Sequence, residues 1–158
     1  MFANKPTNIP AKLLGKLLPQ SFLPLPYFIE RVPAGFPSPA AGYVEASIDL
    51  NDLCIDHPNA TFLIRAGGLS MLDAGIHPED LLVVDRSLEA QHCDIIVCSL
   101  DGEFTVKELC LEPTPKLVAY NKDFADIELN DDSDFEVFGV VKHIIREIKR
   151  GRSRRGEF

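Results

Sequence analysis

The sequence lacks a long hydrophobic run and an excess of positive charge, and each absence excludes a class of function. Its apolar stretches are short, and none approaches the ~20 residues that a membrane-spanning helix needs. Pro6, Pro10 and Pro19 interrupt the N-terminal stretch, which does not match an export signal. The formal net charge is −8, which argues against a general electrostatic grip on nucleic acid, because that grip requires a basic face. We expect a cytoplasmic protein without membrane association or sequence-specific DNA binding.

The sequence also has little that would hold a metal ion or a cofactor. Its four cysteines form no CxxC pair, and no cluster of histidine and acidic residues has the spacing of metal ligands. There is no glycine-rich phosphate loop. We therefore predict neither a cofactor nor a metal. Without an export signal, the cysteines are predicted to be reduced thiols: Cys54, Cys93, Cys98 and Cys110.

Two terminal segments differ in composition from the rest of the 158 residues. Prolines recur from Pro6 to Pro39, which favours an extended arm that is too proline-broken to hold a helix-turn-helix DNA reader. The arm also carries apolar residues, such as Phe22 and Tyr27, that are expected to dock on a folded surface. The C-terminal tail is basic. It is either a contact for nucleic acid or, as we prefer, a disordered solvated end.

From residue 43 onward the pattern is typical of a mainly β domain. Short runs rich in β-branched residues are separated by turn signals, and long crossover helices are not expected. Asp101-Gly102 predicts a hairpin, and Asp49 is a candidate cap for a short helix in IDLNDLCI. The predicted strands are ATFLIRA, DLLVVD, DIIVCSL, EFTVKELCL, KLVAY and FEVFGVVKHII.

The stretch RAGGLSMLDAGI, residues 65–76, places Ser70 directly after a run of small residues. Small residues let the backbone approach a neighbour without side-chain obstruction. Ser70 is therefore either the cap of a single helical turn in MLDAG or a nucleophile presented on a turn. The pattern alone leaves both interpretations open.

A lysine in the strand EFTVKELCL is the candidate partner for that serine. Alternation places Lys107 on one face with Thr105, Leu109 and Leu111. Desolvation among apolar groups lowers the pKa of a lysine, and a neutral lysine can accept a proton from a serine. The alternative is an ammonium that reaches water at the rim of the sheet.

The other titratable residues suit catalysis less well. Asp80 and Asp85 flank the apolar run LLVV and are interpreted as solvated strand ends rather than as a carboxylate pair. The histidines precede prolines, lie among polar residues or fall in a strand pattern. They are expected to be surface or loop residues rather than bases: His57, His77, His92 and His143.

Five stretches occur in an order that is similar to a known family. They are GFPSPAAGYVEASIDLNDL, HPNATFLIRAGGLSMLDAGI, DLLVVD, DGEFTVKEL and FEVFGVVKHII. Together they resemble the UmuD branch of the LexA-type self-cleaving serine peptidases, peptidase family S24, over roughly residues 35–148. The resemblance implies a LexA C-terminal-domain-like β fold. It also turns the Ser70/Lys107 pair from a minority hypothesis into the preferred one.

The resemblance implies a role for each of four residues and a set of partners. Ser70 would be the nucleophile and Lys107 the general base, and the cleaved bond would be Ala34–Gly35. Proteins of this family cleave themselves on the RecA filament on single-stranded DNA. The shortened form is an accessory subunit of a UmuC-like Y-family polymerase in SOS translesion synthesis, and both forms are homodimers. The implied organisation is an arm of residues 1–34, a peptidase-like domain of 35–150 and a basic tail of 151–158.

Two positions depart from the family pattern, and three alternatives stay open. Leu69 stands where UmuD proteins carry a carboxylate, and Pro33 removes a backbone donor just before the cleaved pair. The first alternative is a UmuD-like dimeric binding module that does not cut itself. The second is a LexA-type repressor, which would need a DNA-reading domain ahead of the cut. The third is a signal-peptidase-like enzyme, which would need a membrane anchor.

Overall fold

A computed structural model describes residues 22–28 and 45–151, and within these ranges the chain is mainly β, as predicted. One short α-helix and two 3₁₀ turns, Pro58–Ala60 and Leu72–Ala74, accompany the strands. No helix in the described ranges is long and apolar enough to cross a membrane. The elements in chain order are β1 Pro24–Phe28, β2 Glu45–Asp49, α1 Leu50–Cys54, β3 Thr61–Arg65, β4 Leu81–Asp85, β5 Ile95–Leu100, β6 Glu103–Cys110, β7 Lys116–Val118, β8 Ile127–Glu128 and β9 Phe135–Ile145.

Local sequence signals account for the ends of several elements. Asp101 and Gly102 join β5 to β6 with φ values of 50° and 82°, the positive values that a tight hairpin turn requires. The Asp49 side chain accepts a hydrogen bond of 2.7 Å from the Asn51 backbone N–H and caps α1. Both predictions are confirmed. The predicted strands also form, although the run KLVAY pairs only over Lys116–Val118.

The strands form two antiparallel sheets. β1 pairs with β2, so this part of the proline-rich arm is extended, as predicted. The larger sheet has seven strands in the order β3-β4-β9-β5-β6-β7-β8. The third strand in this order, β9, passes close to β4 at Gly139, where an added Cβ would lie 2.8 Å from the Asp85 carbonyl oxygen. Glycine is needed there because no side chain fits between the two backbones.

Apolar side chains cover both faces of the larger sheet near its centre. Burial of each large apolar side chain contributes about 2 kcal/mol. Strand β6 contributes Val106 to one cluster and Leu109 to the other, and Lys107, the neighbour of Val106 on this strand, is buried as well. The first cluster is Ile64, Ala66, Met71, Ile76, Leu82, Val84, Val97 and Val106. The second is Ile96, Cys98, Leu109, Leu117 and Val140.

Three expectations about burial are wrong. Phe22 and Tyr27 of the arm are 72% and 46% exposed rather than docked on a folded surface. Asp80 and Asp85 are 1% and 2% exposed rather than solvated, because each carboxylate has partners that replace water. Leu111 is 41% exposed and lies beyond the end of β6, so it does not help to surround Lys107. The side chain of Leu109 is buried, as the alternation predicts.

Candidate active site

Ser70 lies in the loop that follows strand β3. Gly68 in that loop has φ of +78°, a left-handed conformation that glycine adopts without steric cost. The loop turns back toward β6, and Ser70 becomes 6% exposed. A 3₁₀ turn follows at Leu72–Ala74. Ser70 therefore precedes a helical turn, as one interpretation of the sequence requires, but its hydroxyl is engaged elsewhere.

The hydroxyl of Ser70 meets the amine of Lys107. The distance from Lys107 Nζ to Ser70 Oγ is 2.9 Å, although the two residues are 37 positions apart in the chain. Lys107 is 5% exposed on strand β6, and burial lowers its pKa, opposed only by the nearby Cys98 thiol. A lowered pKa of Lys107 agrees with one of the two interpretations that the strand pattern left open. The ammonium does not reach the rim of the sheet.

Lys107 Nζ has two further hydrogen-bond partners besides Ser70 Oγ. Nζ lies 2.9 Å from Thr105 Oγ1 and 3.1 Å from the Val106 carbonyl oxygen. A carbonyl only accepts, and a threonine hydroxyl can accept. A neutral amine has two N–H groups and one lone pair. If the two N–H groups are donated to Thr105 and Val106, the lone pair faces the Ser70 hydroxyl and can take its proton.

A small cleft opens beside Ser70. Backbone and small side chains form most of its wall, so an extended peptide could approach the hydroxyl closely. Lys107 lies behind Ser70 rather than in the wall. The lining residues are Ala66, Gly67, Gly68, Ser70, Met71, Ile76, Thr105 and Val106.

The Ser70 loop is fixed by Tyr120–Asn121, at the end of the predicted strand KLVAY, a segment to which the sequence assigned no role at the site. The Tyr120 backbone N–H donates to the Ser70 carbonyl at 2.8 Å, and the Asp73 N–H donates to the Tyr120 carbonyl at 2.8 Å. The Asn121 side-chain amide donates to the Leu69 carbonyl at 2.9 Å. No periodicity marks a pairing between two irregular segments, so sequence patterns carry no signal for it.

Arg146 and Asp80 hold the far end of the same loop. Arg146 Nε and Nη2 bind the two carboxylate oxygens of Asp80 at 2.6 and 2.5 Å, and Nη2 also donates to the Gly75 carbonyl at 2.6 Å. The His77 backbone N–H donates to the same carboxylate at 2.8 Å. The hydrogen bond from Arg146 is the main cause that keeps the pKa of Asp80 below its usual range.

His57 and His92 have hydrogen-bond partners other than Ser70 and Lys107. His57 binds the Asp85 carboxylate at 2.6 Å, and Ser87 Oγ binds it at 2.6 Å. Ser87 and His57 therefore both bind the Asp85 carboxylate, whereas in a catalytic triad the serine is hydrogen-bonded to the histidine. Asp85 pairs with Thr61, at the opposite end of β3 from the Ser70 loop. The exposed His92 accepts from the Leu111 N–H at 3.0 Å.

The thiol and metal chemistry of the described residues is limited. All four cysteines are unpaired, and burial raises the pKa of the Cys98 thiol to about 11. A thiol with a raised pKa is a poor nucleophile at neutral pH. Within residues 22–28 and 45–151, no group of three or more His, Cys, Asp or Glu side chains is arranged to hold a metal ion.

The predicted cleavage pair, Ala34 and Gly35, lies outside the described residues, as do Val32 and Pro33. The basic residues Arg152, Arg154 and Arg155 of the tail lie outside them as well.

Comparison with known proteins supplies the wider context. The model of the family described as "Peptidase S24-like" matches residues 26–142. The chain is 46% identical to Protein MucA of Salmonella typhimurium over 124 residues, which is 78% of this chain and 85% of MucA. It is 46% identical to Protein ImpA of Escherichia coli over 127 residues, or 80% and 87% of the two chains.

A more distant relative carries the LexA name. The chain is 40% identical to the LexA repressor of Ectopseudomonas mendocina over 120 residues, which is 75% of this chain but only 58% of that repressor. The matched region therefore leaves a large part of the repressor without a counterpart. Together the family match and the MucA and ImpA similarity identify the chain as a UmuD-type, SOS-mutagenesis member of the peptidase S24-like family.

Proposed function

We propose that the protein cleaves its own chain between Ala34 and Gly35, with Ser70 as nucleophile and Lys107 as general base. The observation that carries the proposal is the 2.9 Å contact between the buried Lys107 amine and the Ser70 hydroxyl, at the edge of an open cleft. A lysine whose pKa is lowered by burial is a suitable base for a serine hydroxyl. Membership in a peptidase family supports the same chemistry.

The proposed reaction has two halves. Ser70 Oγ attacks the carbonyl carbon of Ala34 while its proton moves to Lys107 Nζ. The tetrahedral intermediate then collapses, Lys107 returns the proton to the Gly35 nitrogen, and the Ala34–Gly35 bond breaks. In the second half Lys107 takes a proton from water, and the resulting hydroxide attacks the ester carbonyl between Ala34 and Ser70. The ester bond then breaks, and Lys107 returns the proton to Ser70 Oγ. The products are residues 1–34, ending in a carboxyl group, and residues 35–158.

The oxyanion of the intermediate needs hydrogen-bond donors. The backbone N–H of Ser70 is the donor we propose, because it belongs to the nucleophile itself and Ser70 lines the cleft. Gly35 favours the attack since it leaves the scissile carbonyl unobstructed. A tethered substrate segment has a high effective concentration near the cleft, so a modest catalyst can act on it.

The proposed regulation and partners are those that the family resemblance implies. A RecA filament on single-stranded DNA would favour the state in which the arm occupies the cleft, by binding that state better. The shortened form, residues 35–158, would then serve a UmuC-like Y-family polymerase in translesion synthesis, as a homodimer in the cytoplasm. The similarity to MucA and ImpA supports this placement.

Intact mass spectrometry tests the proposal with matched controls. Wild type is incubated at neutral and alkaline pH, with and without RecA, single-stranded DNA and a slowly hydrolysed ATP analogue. We expect a fragment that begins at Gly35, at least 10²-fold slower in Ser70→Ala and Lys107→Met. Two control variants should cleave at the wild-type rate, Ser87→Ala and Lys116→Met.

Two results would count against the proposal. A Gly35 fragment that persists in Ser70→Ala would assign the cut to another group or a contaminating protease. No fragment under any condition would leave the non-cleaving, UmuD-like binding module as the better account.

A further inference from the structure

Asn121 contacts the peptide group that carries the proposed oxyanion donor. Its Nδ2 donates to the carbonyl of Leu69 at 2.9 Å. That carbonyl and the N–H of Ser70 belong to one planar trans peptide, so they point in opposite directions. Any group that fixes the direction of the Leu69 C=O therefore also fixes the direction of the Ser70 N–H.

The orientation of the Asn121 amide is determined by both of its ends. Its Oδ1 accepts a hydrogen bond of 3.0 Å from the Asp123 backbone N–H, and its Nδ2 faces a carbonyl. Reversing the amide would place an oxygen against the Leu69 carbonyl and an N–H against an N–H donor. The Asn121 side chain therefore donates its N–H toward the Ser70 loop.

The segment around Asn121 is itself anchored to the strand of the general base. The Tyr120 hydroxyl donates to Glu108 Oε2 at 2.6 Å, and Glu108 is the neighbour of Lys107 on β6. The backbone of Tyr120 pairs with Ser70 and Asp73. The Ser70 loop and strand β6 are therefore both hydrogen-bonded to the segment Tyr120–Asn121. Within this segment, the Asn121 amide supplies a side-chain hydrogen bond to the Leu69–Ser70 peptide.

We propose that Asn121 is a positioning residue for self-cleavage, which aims and polarises the Leu69–Ser70 peptide so that the Ser70 N–H faces the developing oxyanion. This inference rests on the proposed function of Ser70 and Lys107. Asn121 touches no reacting atom, and it acts through the peptide it holds. Hydrogen bonds in a chain strengthen one another, so a donor on the C=O side makes the N–H of the same peptide a better donor.

The chain offers a matched pair of asparagines for the test. Asn130 Oδ1 accepts from the Asp132 backbone N–H at 3.0 Å, the same turn that Asn121 makes with Asp123. An Asn→Asp change keeps the turn acceptor at both sites and deletes the Nδ2 donor. Only at position 121 does that donor reach the nucleophile loop.

The experiment measures the rate of release of the Gly35 fragment from the full chain against pH, together with the melting temperature. We expect Asn121→Asp and Asn121→Ala to lower the rate at high pH by on the order of 10-fold, less than loss of an oxyanion donor itself. In Asn121→Ala, which adds no charge, the pH of half-maximal rate should equal that of wild type. Asn130→Asp should cleave like wild type.

Each other outcome has a distinct meaning. Wild-type rates in the Asn121 variants would overturn this inference and leave the proposed function intact. A shifted pH of half-maximal rate in Asn121→Ala would also overturn it, because Asn121 would then act through Lys107. A rate loss matched by a large fall in melting temperature would reduce Asn121 to a structural role. A wild type that never cleaves would overturn both proposals.

Discussion

At the scale of single residues, the charge state of Lys107 links stability to pH. Burial lowers the pKa of Lys107 from 10.5 in the folded chain, so the unfolded chain binds more protons between the lowered pKa and 10.5. Stability contributed at this site therefore rises with pH across that window. The quantity to follow is the difference in unfolding free energy between wild type and Lys107→Met. We predict that this difference increases as pH rises from the lowered pKa of Lys107 toward 10.5, and that it does not change with pH below the lowered pKa.

Lys116 provides a control with the opposite sign. Its hydrogen bond to Asp126 raises its pKa, so its contribution to stability is present below 10.5 and is lost as pH rises through the folded pKa. Chemical denaturation across pH in wild type, Lys107→Met and Lys116→Met measures both differences. Equal slopes for the two variants would contradict the assigned burial of the Lys107 amine.

Thr105 tests the orientation of the base. Thr105→Val keeps the shape of the side chain but removes the acceptor that lies 2.9 Å from Lys107 Nζ. The amine then loses a partner that keeps its lone pair toward Ser70, and we predict a fall in self-cleavage of roughly tenfold. Thr61→Val, which deletes a hydroxyl bonded to the His57 carbonyl, is the matched control. Equal rates in the two valine variants would show that Thr105 does not orient the base.

At the scale of elements, the ion pair between Asp80 and Arg146 joins the end of β9 to the nucleophile loop. The Asp80 side chain is 2% exposed and the Arg146 side chain is 43% exposed, so water can still reach the guanidinium when the carboxylate is removed. We predict that Asp80→Asn costs about 2 kcal/mol of unfolding free energy at pH 7, mainly from the weakened hydrogen bonds to Arg146. Asp126→Asn breaks a much more exposed pair, 37% exposed at the carboxylate, and should cost about 1 kcal/mol or less.

Acid titration gives the same pair a second test. The pKa of Asp80 is lowered, so its stabilising contribution is present above about 3.8 and disappears as pH falls through the folded pKa. The difference in unfolding free energy between wild type and Asp80→Asn should therefore shrink as the solution is acidified. A difference that stays constant down to low pH would contradict the ion pair.

At the scale of the whole molecule, regular sequence patterns predicted the strands and turns of the fold. Contacts between irregular segments could be found only in the structure. Alternation and turn residues predicted the strands and the hairpin at Asp101-Gly102, because both signals are local. Burial of Asp80 was missed because it depends on Arg146, which lies 66 positions away. The hydrogen bond from Asn121 to Leu69 joins two loops that are 52 positions apart in the chain, and no local pattern encodes such a contact.

The candidate site shows the same division. The alternation of β6 allowed a desolvated Lys107, and the small residues before Ser70 allowed a nucleophile on a turn, but each pattern also left a structural alternative open. The meeting of the two residues across 37 positions was expected only through the similarity to a peptidase family. The orientation of the amine by Thr105 and Val106 depends on distances of 2.9 and 3.1 Å, which residue types alone do not determine.

The dependence of self-cleavage on pH tests the central claim most directly. The rate of appearance of the Gly35 N-terminus is measured by intact mass in wild type from neutral to strongly alkaline pH, with Ser70→Ala as the blank. If neutral Lys107 is the base, the rate rises by about tenfold per pH unit at first. It then levels off below pH 10.5, because burial lowers the pKa of Lys107. A rate that is independent of pH, or that keeps rising past 10.5, would contradict a Lys107-dependent mechanism.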